Sequence, residues 1–236
     1  MRNHFTFGGI NSRSLGIYIS GEGVYNAPAR EYEPIVIPGR NGDLLGIEKR
    51  LSNIELTYPA FCYGNFADRI AGIRSALLGL EGYQRLTDTY NPDEYRLAYF
   101  PGGTEVDPTN VHDAGNFELT FVCKPQRFLT SGEQAVSIVG SGTTLTNPTP
   151  FVARPQIYAV GYGVIHVGDQ AITVNNAYPS VTIDSEIMDC YSGLQNANDA
   201  VSFSDNDFPI LPAGPIGITF ENTFTSVAIK PNWWRV

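Results

Sequence analysis

Positive charge is scarce in this chain: 15 lysines and arginines stand against 24 aspartates and glutamates, a formal net charge of -9 over 236 residues. A sequence-independent grip on nucleic acid rests on lysine and arginine neutralising phosphates, so this composition argues against that class of function. Cysteine is sparse as well. Cys62, Cys123 and Cys190 are odd in number and far apart, which speaks against a secreted disulfide framework and for buried, reduced thiols. The three histidines, His4, His112 and His166, stand in no spacing that makes a zinc site. Long apolar runs are missing: no window approaches the roughly 20 residues of a membrane-spanning helix, and residues 1–7 contain no signal-like apolar region. No glycosylation sequon occurs. The expectation is a soluble protein, away from the membrane, with no disulfide or metal needed to hold its core.

Enzyme signatures are absent too. Gly21-Glu22-Gly23 and Gly161-Tyr162-Gly163 lack the third glycine of a dinucleotide fingerprint, and there is neither a phosphate-binding G-x-x-x-x-G-K-[ST] nor a G-x-S-x-G elbow. Asp184 and Glu186 are two apart, so on a strand they would share a face about 6–7 Å apart, as paired glycosidase carboxylates do. A solvated strand end explains them equally well, because nothing in the sequence supplies the burial needed to separate their pKa values. Asp199, Asp205, Asn206 and Asp207 offer oxygen ligands but lack the D-x-D-x-D-G spacing of a calcium loop, and read as a polar turn. The sequence therefore predicts no enzyme, no cofactor and no metal.

What is present is turn chemistry between short apolar runs. Twenty-four glycines and 16 prolines punctuate segments rich in Val, Ile, Thr, Tyr and Phe, the pattern of a mainly β chain. In the first half, strands are expected at 5–7, 15–20, 35–37, 46–58, 84–86, 95–100 and 116–123. Between them Phe66, Ile70, Ile73, Leu77 and Leu80 recur every three or four residues, which predicts one amphipathic helix over 66–80. Asn65 is the expected cap at its start, and Gly79 and Gly82 close it. Asn41-Gly42, in the turn-rich run from Ile37 to Asp43, predicts a tight β-hairpin. Polar stretches at 130–134 and 141–144 place a boundary near residue 130, giving domains 1–130 and 131–236. The second half is expected to hold strands at 151–152, 156–160, 163–167, 171–174, 180–184, 189–191, 201–203, 216–220 and 226–230, which suits an antiparallel sandwich. Both tryptophans, Trp233 and Trp234, lie at the terminus, where most chains fray, so this tail is expected to be packed.

Several segments together resemble the distal tail protein family of siphophage baseplates. They are Phe5-Thr6-Phe7-Gly8-Gly9-Ile10-Asn11-Ser12 with Leu15-Gly16-Ile17; Ile37-Pro38-Gly39-Arg40-Asn41-Gly42-Asp43-Leu44; the run from Phe117 to Arg127; Ile183-Asp184-Ser185; Asp207-Phe208-Pro209-Ile210-Leu211; and Ile229-Lys230-Pro231-Asn232-Trp233-Trp234. Each is a short β pattern, but they span nearly the whole chain in the family's order. The resemblance implies a ring-forming β-sandwich or barrel-like domain with one helix and a hairpin, followed by a galectin-like sandwich. It implies a structural protein of a phage or prophage tail tip, assembled in the host bacterial cytoplasm. Six copies would form a hub that joins the tail tube protein to a tail-associated lysin or tip protein, and DNA would pass through without specific binding. Exposed strand edges and projecting hairpins are natural sites for pairing between chains, so Phe5 and Phe7, and Arg40, Asn41 and Asp43, are the candidate ring contacts. The long insertion that some relatives carry in the second domain has no room here.

The alternative is a carbohydrate-binding module for host cell-wall polysaccharide, its face built from some of the 13 tyrosines, 13 phenylalanines and two tryptophans. The same rings fill sandwich cores and protein interfaces.

Overall fold

The computed structural model describes residues 2–21, 26–103, 106–107, 114–221 and 223–236. His112 and part of the Gly21-Glu22-Gly23 segment lie outside the described residues. The chain is mainly β and divides into two compact units, Met1–Arg127 with Val236, and Phe128–Arg235.

The first unit is a curved antiparallel sheet with one helix. Its elements are β1 (Phe5–Phe7), β2 (Ile10–Asn11), β3 (Ile17–Ile19), β4 (Arg30–Ile35), β5 (Leu44–Leu51), β6 (Ile54–Tyr63), α1 (Phe66–Leu78), β7 (Gln84–Asp88), β8 (Glu94–Tyr99), β9 (Val106–Asp107) and β10 (Ala114–Leu129). The main sheet runs β2-β1-β7-β8-β10-β6-β3, with β9 also against β10. Strict alternation along β6 turns Leu56, Tyr58, Ala60 and Cys62 into the core and Glu55, Pro59 and Tyr63 outward. On α1 the residues Ile70, Ile73 and Leu77 are buried with that face, as the 3.6 period requires.

Local chemistry departs from expectation in several places. Asn65 does not cap α1 with its side chain; it sits in the left-handed region at φ 52°. The helix start is held instead by Arg69, whose guanidinium donates to the carbonyl of Gly64 at 2.6 Å and to that of Leu15 at 2.9 Å. The strand expected over 15–20 shortens to 17–19, because Ser12–Leu15 is a 3-10 turn closed by Gly16 at φ 71°. The single strand expected over 46–58 is two, β5 and β6, and the second runs on through Pro59. Pro59 is tolerated there because its carbonyl, accepting from the Ser20 N–H at 2.8 Å, faces the β3 side just beyond the end of that strand, so its missing N–H breaks no bond to β10.

The second unit is a two-sheet sandwich. Its strands are β11 (Val136–Ser137), β12 (Thr143–Asn147), β13 (Gln156–Val160), β14 (Gly163–Val167), β15 (Gln170–Val174), β16 (Ser180–Asp184), β17 (Asp189–Ser192), β18 (Gln195–Asn196), β19 (Val201–Phe203), β20 (Gly214–Phe220), β21 (Ser226–Lys230) and β22 (Trp234–Arg235). One sheet runs β11-β21-β13-β16-β17-β18 and the other β12-β20-β14-β15-β19, with antiparallel pairing throughout these two sheets. Inward residues such as Ile157, Ile165, Ile172, Ile183, Ile218 and Ile229 are fully buried between them. Residues 151–152 are not a strand; the neighbouring Ala153 makes a single bridge to Leu211. The C-terminal tail is packed. Trp233 lies in the core, and Leu129, Gly132 and residues 232–233 are laced by backbone hydrogen bonds at 2.8 and 2.9 Å.

Candidate assembly surface

The two sets of residues expected at a ring contact are placed very differently. Phe5 and Phe7 are not on a free edge. Strand β1 is paired on both sides, by β2 and by β7, and the two rings are 1% and 0% exposed. They pack on Phe121 with ring centroids 5.4 and 5.0 Å away, and Phe5 stacks on Tyr58. These phenylalanines are core residues, because the alternation of Phe-Thr-Phe that reads as an edge strand also serves a strand inside a sheet with one covered face.

Arg40, Asn41 and Asp43 are exposed, in the loop at the tip of the β4–β5 hairpin. That loop is not a two-residue turn. Ile37-Pro38-Gly39-Arg40 forms a turn closed by the Arg40 N–H donating to the Ile37 carbonyl at 3.2 Å, with proline at its second position and Gly39 at φ 79°, as a type II turn requires. Gly42 is also left-handed, whereas Asn41 is not. The hairpin forms a two-stranded sheet of its own, paired with no other strand among the described residues. Its register sets Ile35 opposite Leu44 and Pro34 opposite Leu45, so apolar side chains point from both faces. Tyr32, Ile35, Val36, Leu44 and Leu45 are all between 46% and 74% exposed. An isolated hairpin is marginal in water. No sequence rule predicts that both faces of this hairpin stay uncovered; the alternation shows only that both carry apolar residues.

The other polar clusters among the described residues are held in local hydrogen bonds. Inside the first unit the Tyr58 hydroxyl donates to Asp88 at 2.6 Å, and the other oxygen of Asp88 accepts the N–H groups of Tyr90 and Asn91 at 2.9 Å. Burial, then the charge of Asp88, push the Tyr58 phenol well above its ordinary value. Glu94 pairs with Arg127 at 2.8 Å, both largely buried, and burial lowers the neighbouring Arg96 guanidinium. The cavity among these groups is about 10 Å³, room for about one water and no substrate. Cys62, Cys123 and Cys190 are buried free thiols, and burial pushes Cys123 and Cys190 up to about 12.

Asp184 and Glu186 are not a facing pair. Asp184 ends β16, but Glu186 lies in the following turn. One Asp184 oxygen accepts the N–H groups of Glu186 at 3.0 Å and Ile187 at 3.4 Å, and the other accepts from the Gln156 amide at 2.8 Å. This carboxylate is a turn former. Asp205 and Asp207 accept from Ser204 and from the Phe208 N–H. Among the described residues no group of three metal-ligating side chains is assembled, and no helix is long and apolar enough to cross a membrane.

No protein-family model and no curated protein sequence matches the chain. Among solved structures it is similar to the Dit protein of SPP1, described as a paradigm of hub adsorption apparatus in Gram-positive infecting phages. The match has a TM-score of 0.76 at 13% identity and covers 100% of both chains. From end to end, this chain carries the fold of a phage Dit hub protein.

Proposed function

We propose that this chain is a structural protein of a phage or prophage tail tip. Six copies form a hub ring through their first units. The ring joins the tail tube to the lysin-bearing tip and leaves a channel for DNA. The observation that carries this reading is the fold shared over the full length with the SPP1 hub protein, not one domain of it. Two features of the chain support it. The β4–β5 hairpin, apolar on both faces and unpaired with any other strand among the described residues, has the character of an element completed by another subunit. The net charge of -9 suits a wall that duplex DNA must pass without sticking.

The test is the size and shape of the purified protein. Light scattering across a concentration series, with negative-stain images of the largest species, is expected to show closed rings. Leu44→Asp, at a position already exposed, is expected to return the protein to monomer while circular dichroism shows its fold unchanged. A protein that stays monomeric at the highest concentrations, and is absent from purified virions by mass spectrometry, would overturn the reading.

A further inference from the structure

The tip of the β4–β5 hairpin holds the only Asn-Gly step in the sequence, Asn41-Gly42. Both residues are exposed, and the space around them is open: a Cβ built on Gly39 or on Gly42 would meet nothing within 4 Å. The tip is tied by the Arg40 N–H to the Ile37 carbonyl, and among the described residues neither the Asn41 side chain nor the Gly42 N–H has a hydrogen-bond partner. Asparagine is a thermolabile residue because its short side chain reaches back to the backbone that follows it. A Cβ on the next residue normally crowds that approach, and a tight hydrogen-bonded turn holds the amide away. Glycine removes the first obstacle, and an open loop removes the second.

Other asparagines of the chain are placed differently. Asn11 precedes Ser12, and its side-chain oxygen accepts the Arg13 N–H at 2.9 Å. The Asn198 amide is held at both ends, accepting from the Cys190 N–H and donating to Asp189, each at 2.7 Å. Asn91 and Asn147 precede prolines, which have no N–H to give up. We propose that Asn41 is a site of spontaneous intramolecular deamidation. The Gly42 nitrogen, losing its proton to base, attacks the side-chain carbonyl carbon of Asn41. A new C–N bond closes a cyclic imide, the bond to Nδ2 breaks, and the amide nitrogen leaves as ammonia with the proton returned to it. Water then opens the imide at either carbonyl, leaving aspartate or isoaspartate at position 41. The sum is one water consumed and one ammonia released, with no oxidant or cofactor. Either product turns a tip on which Arg40 and Asp43 balance into one of net negative charge. Isoaspartate also lengthens the backbone of the loop whose length sets Ile35 opposite Leu44. This chemistry belongs to the free chain and does not depend on the hub.

Ageing the full-length protein at neutral and at mildly alkaline pH, followed by peptide mapping and isoaspartyl methyltransferase labelling, tests it. Product is expected to accumulate at Asn41 several-fold faster than at any other described asparagine, faster at the alkaline pH, and within a few-fold of the rate in the urea-unfolded chain. Asn41→Gln, whose longer side chain closes a ring far more slowly, should remove the labelling while circular dichroism stays unchanged. Leu44→Asp, expected to be monomeric, is aged in parallel, so that shielding of the tip by assembly is read separately from the chemistry of the tip. Reaction in that variant with protection of the unmodified protein supports both the site and the hub. An Asn41 that stays intact in Leu44→Asp, or that reacts more than an order of magnitude more slowly there than in urea, would overturn the proposal, as would labelling that falls chiefly on another asparagine.

Discussion

The indole of Trp234 lies over the ring of Phe151, with centroids 4.4 Å apart and planes inclined by 25°, and its N–H donates to the Val152 carbonyl at 2.9 Å. Next to it, Trp233 is pressed so closely on Gly132 that a Cβ there would come within 2.4 Å of the Trp233 nitrogen. Trp233 and Trp234 thus clamp the start of the second unit, and Trp233 is part of its core.

Trp234→Ala is expected to destabilise the second unit by about 2–3 kcal/mol, less than the ~3–5 kcal/mol of a fully buried ring because Trp234 is only partly buried. That lowers its melting temperature by roughly 10 °C. Trp234→Phe keeps the stack but loses the N–H bond and should cost about 1 kcal/mol. Calorimetry on the full chain checks both; a melting temperature unchanged in Trp234→Ala would show that the tail is not an anchor.

That anchor was legible in the sequence, since two tryptophans at a terminus next to an alternating strand have little reason to occur unburied. The helix was legible for the same kind of reason: Ile70, Ile73 and Leu77 carry a period that no strand shares, and they are the residues α1 buries. What alternation does not carry is which side of a strand is paired. Phe5-Thr6-Phe7 has the same pattern at an edge as inside a sheet, and only the long-range partner β7 decides that it is inside. Prolines misled in the same way. Pro59 and Pro125 both lie within strands, Pro125 two residues beyond the end of the β6–β10 ladder at Cys123, and neither position can be identified before the pairing is known.

The buried thiols set an alkaline limit on stability. Burial holds Cys123 and Cys190 at about 12, against an ordinary value of 9.0, and raises Tyr58 above 10.0. In each case the folded state keeps the proton longer than the unfolded chain does, so the stability they contribute is complete below about pH 9 and declines as pH climbs toward 12. Urea midpoints are expected to be unaffected by these groups from pH 7 to 8.5 and to fall steadily above pH 9. Cys190→Ala should lower the midpoint at pH 7 and flatten the alkaline slope. The thiols should also resist a soluble disulfide reagent until urea unfolds the chain; rapid labelling of the native protein would contradict their burial.

Asp184 is expected to act on folding alone. Asp184→Ala removes the acceptor for the N–H groups of Glu186 and Ile187 and for the Gln156 amide, and should cost about 1–3 kcal/mol. Asp184→Asn keeps one acceptor oxygen for the turn and should cost about half as much. Glu186→Gln, on an exposed side chain in the turn, should change stability little. Denaturant titrations give the three values. Equal losses for Asp184→Asn and Glu186→Gln, accompanied by loss of a measurable glycosidase activity, would instead mark the two carboxylates as a functional pair.

The proposed hub would pass DNA only if its walls did not hold it. With 24 carboxylates against 15 basic side chains, the protein is expected to leave duplex DNA unshifted in a gel at about 50 mM salt, where a protein neutralising six or more phosphates binds strongly. The sharper measurement uses assembled rings, because basic residues drawn together by the assembly would concentrate charge that the free chain spreads out. Retention of DNA by the rings that weakens steeply between 50 and ~200 mM salt would show a basic lumen and refute a repelling channel. No retention at either salt, from rings and free chain alike, is the outcome expected of a conduit.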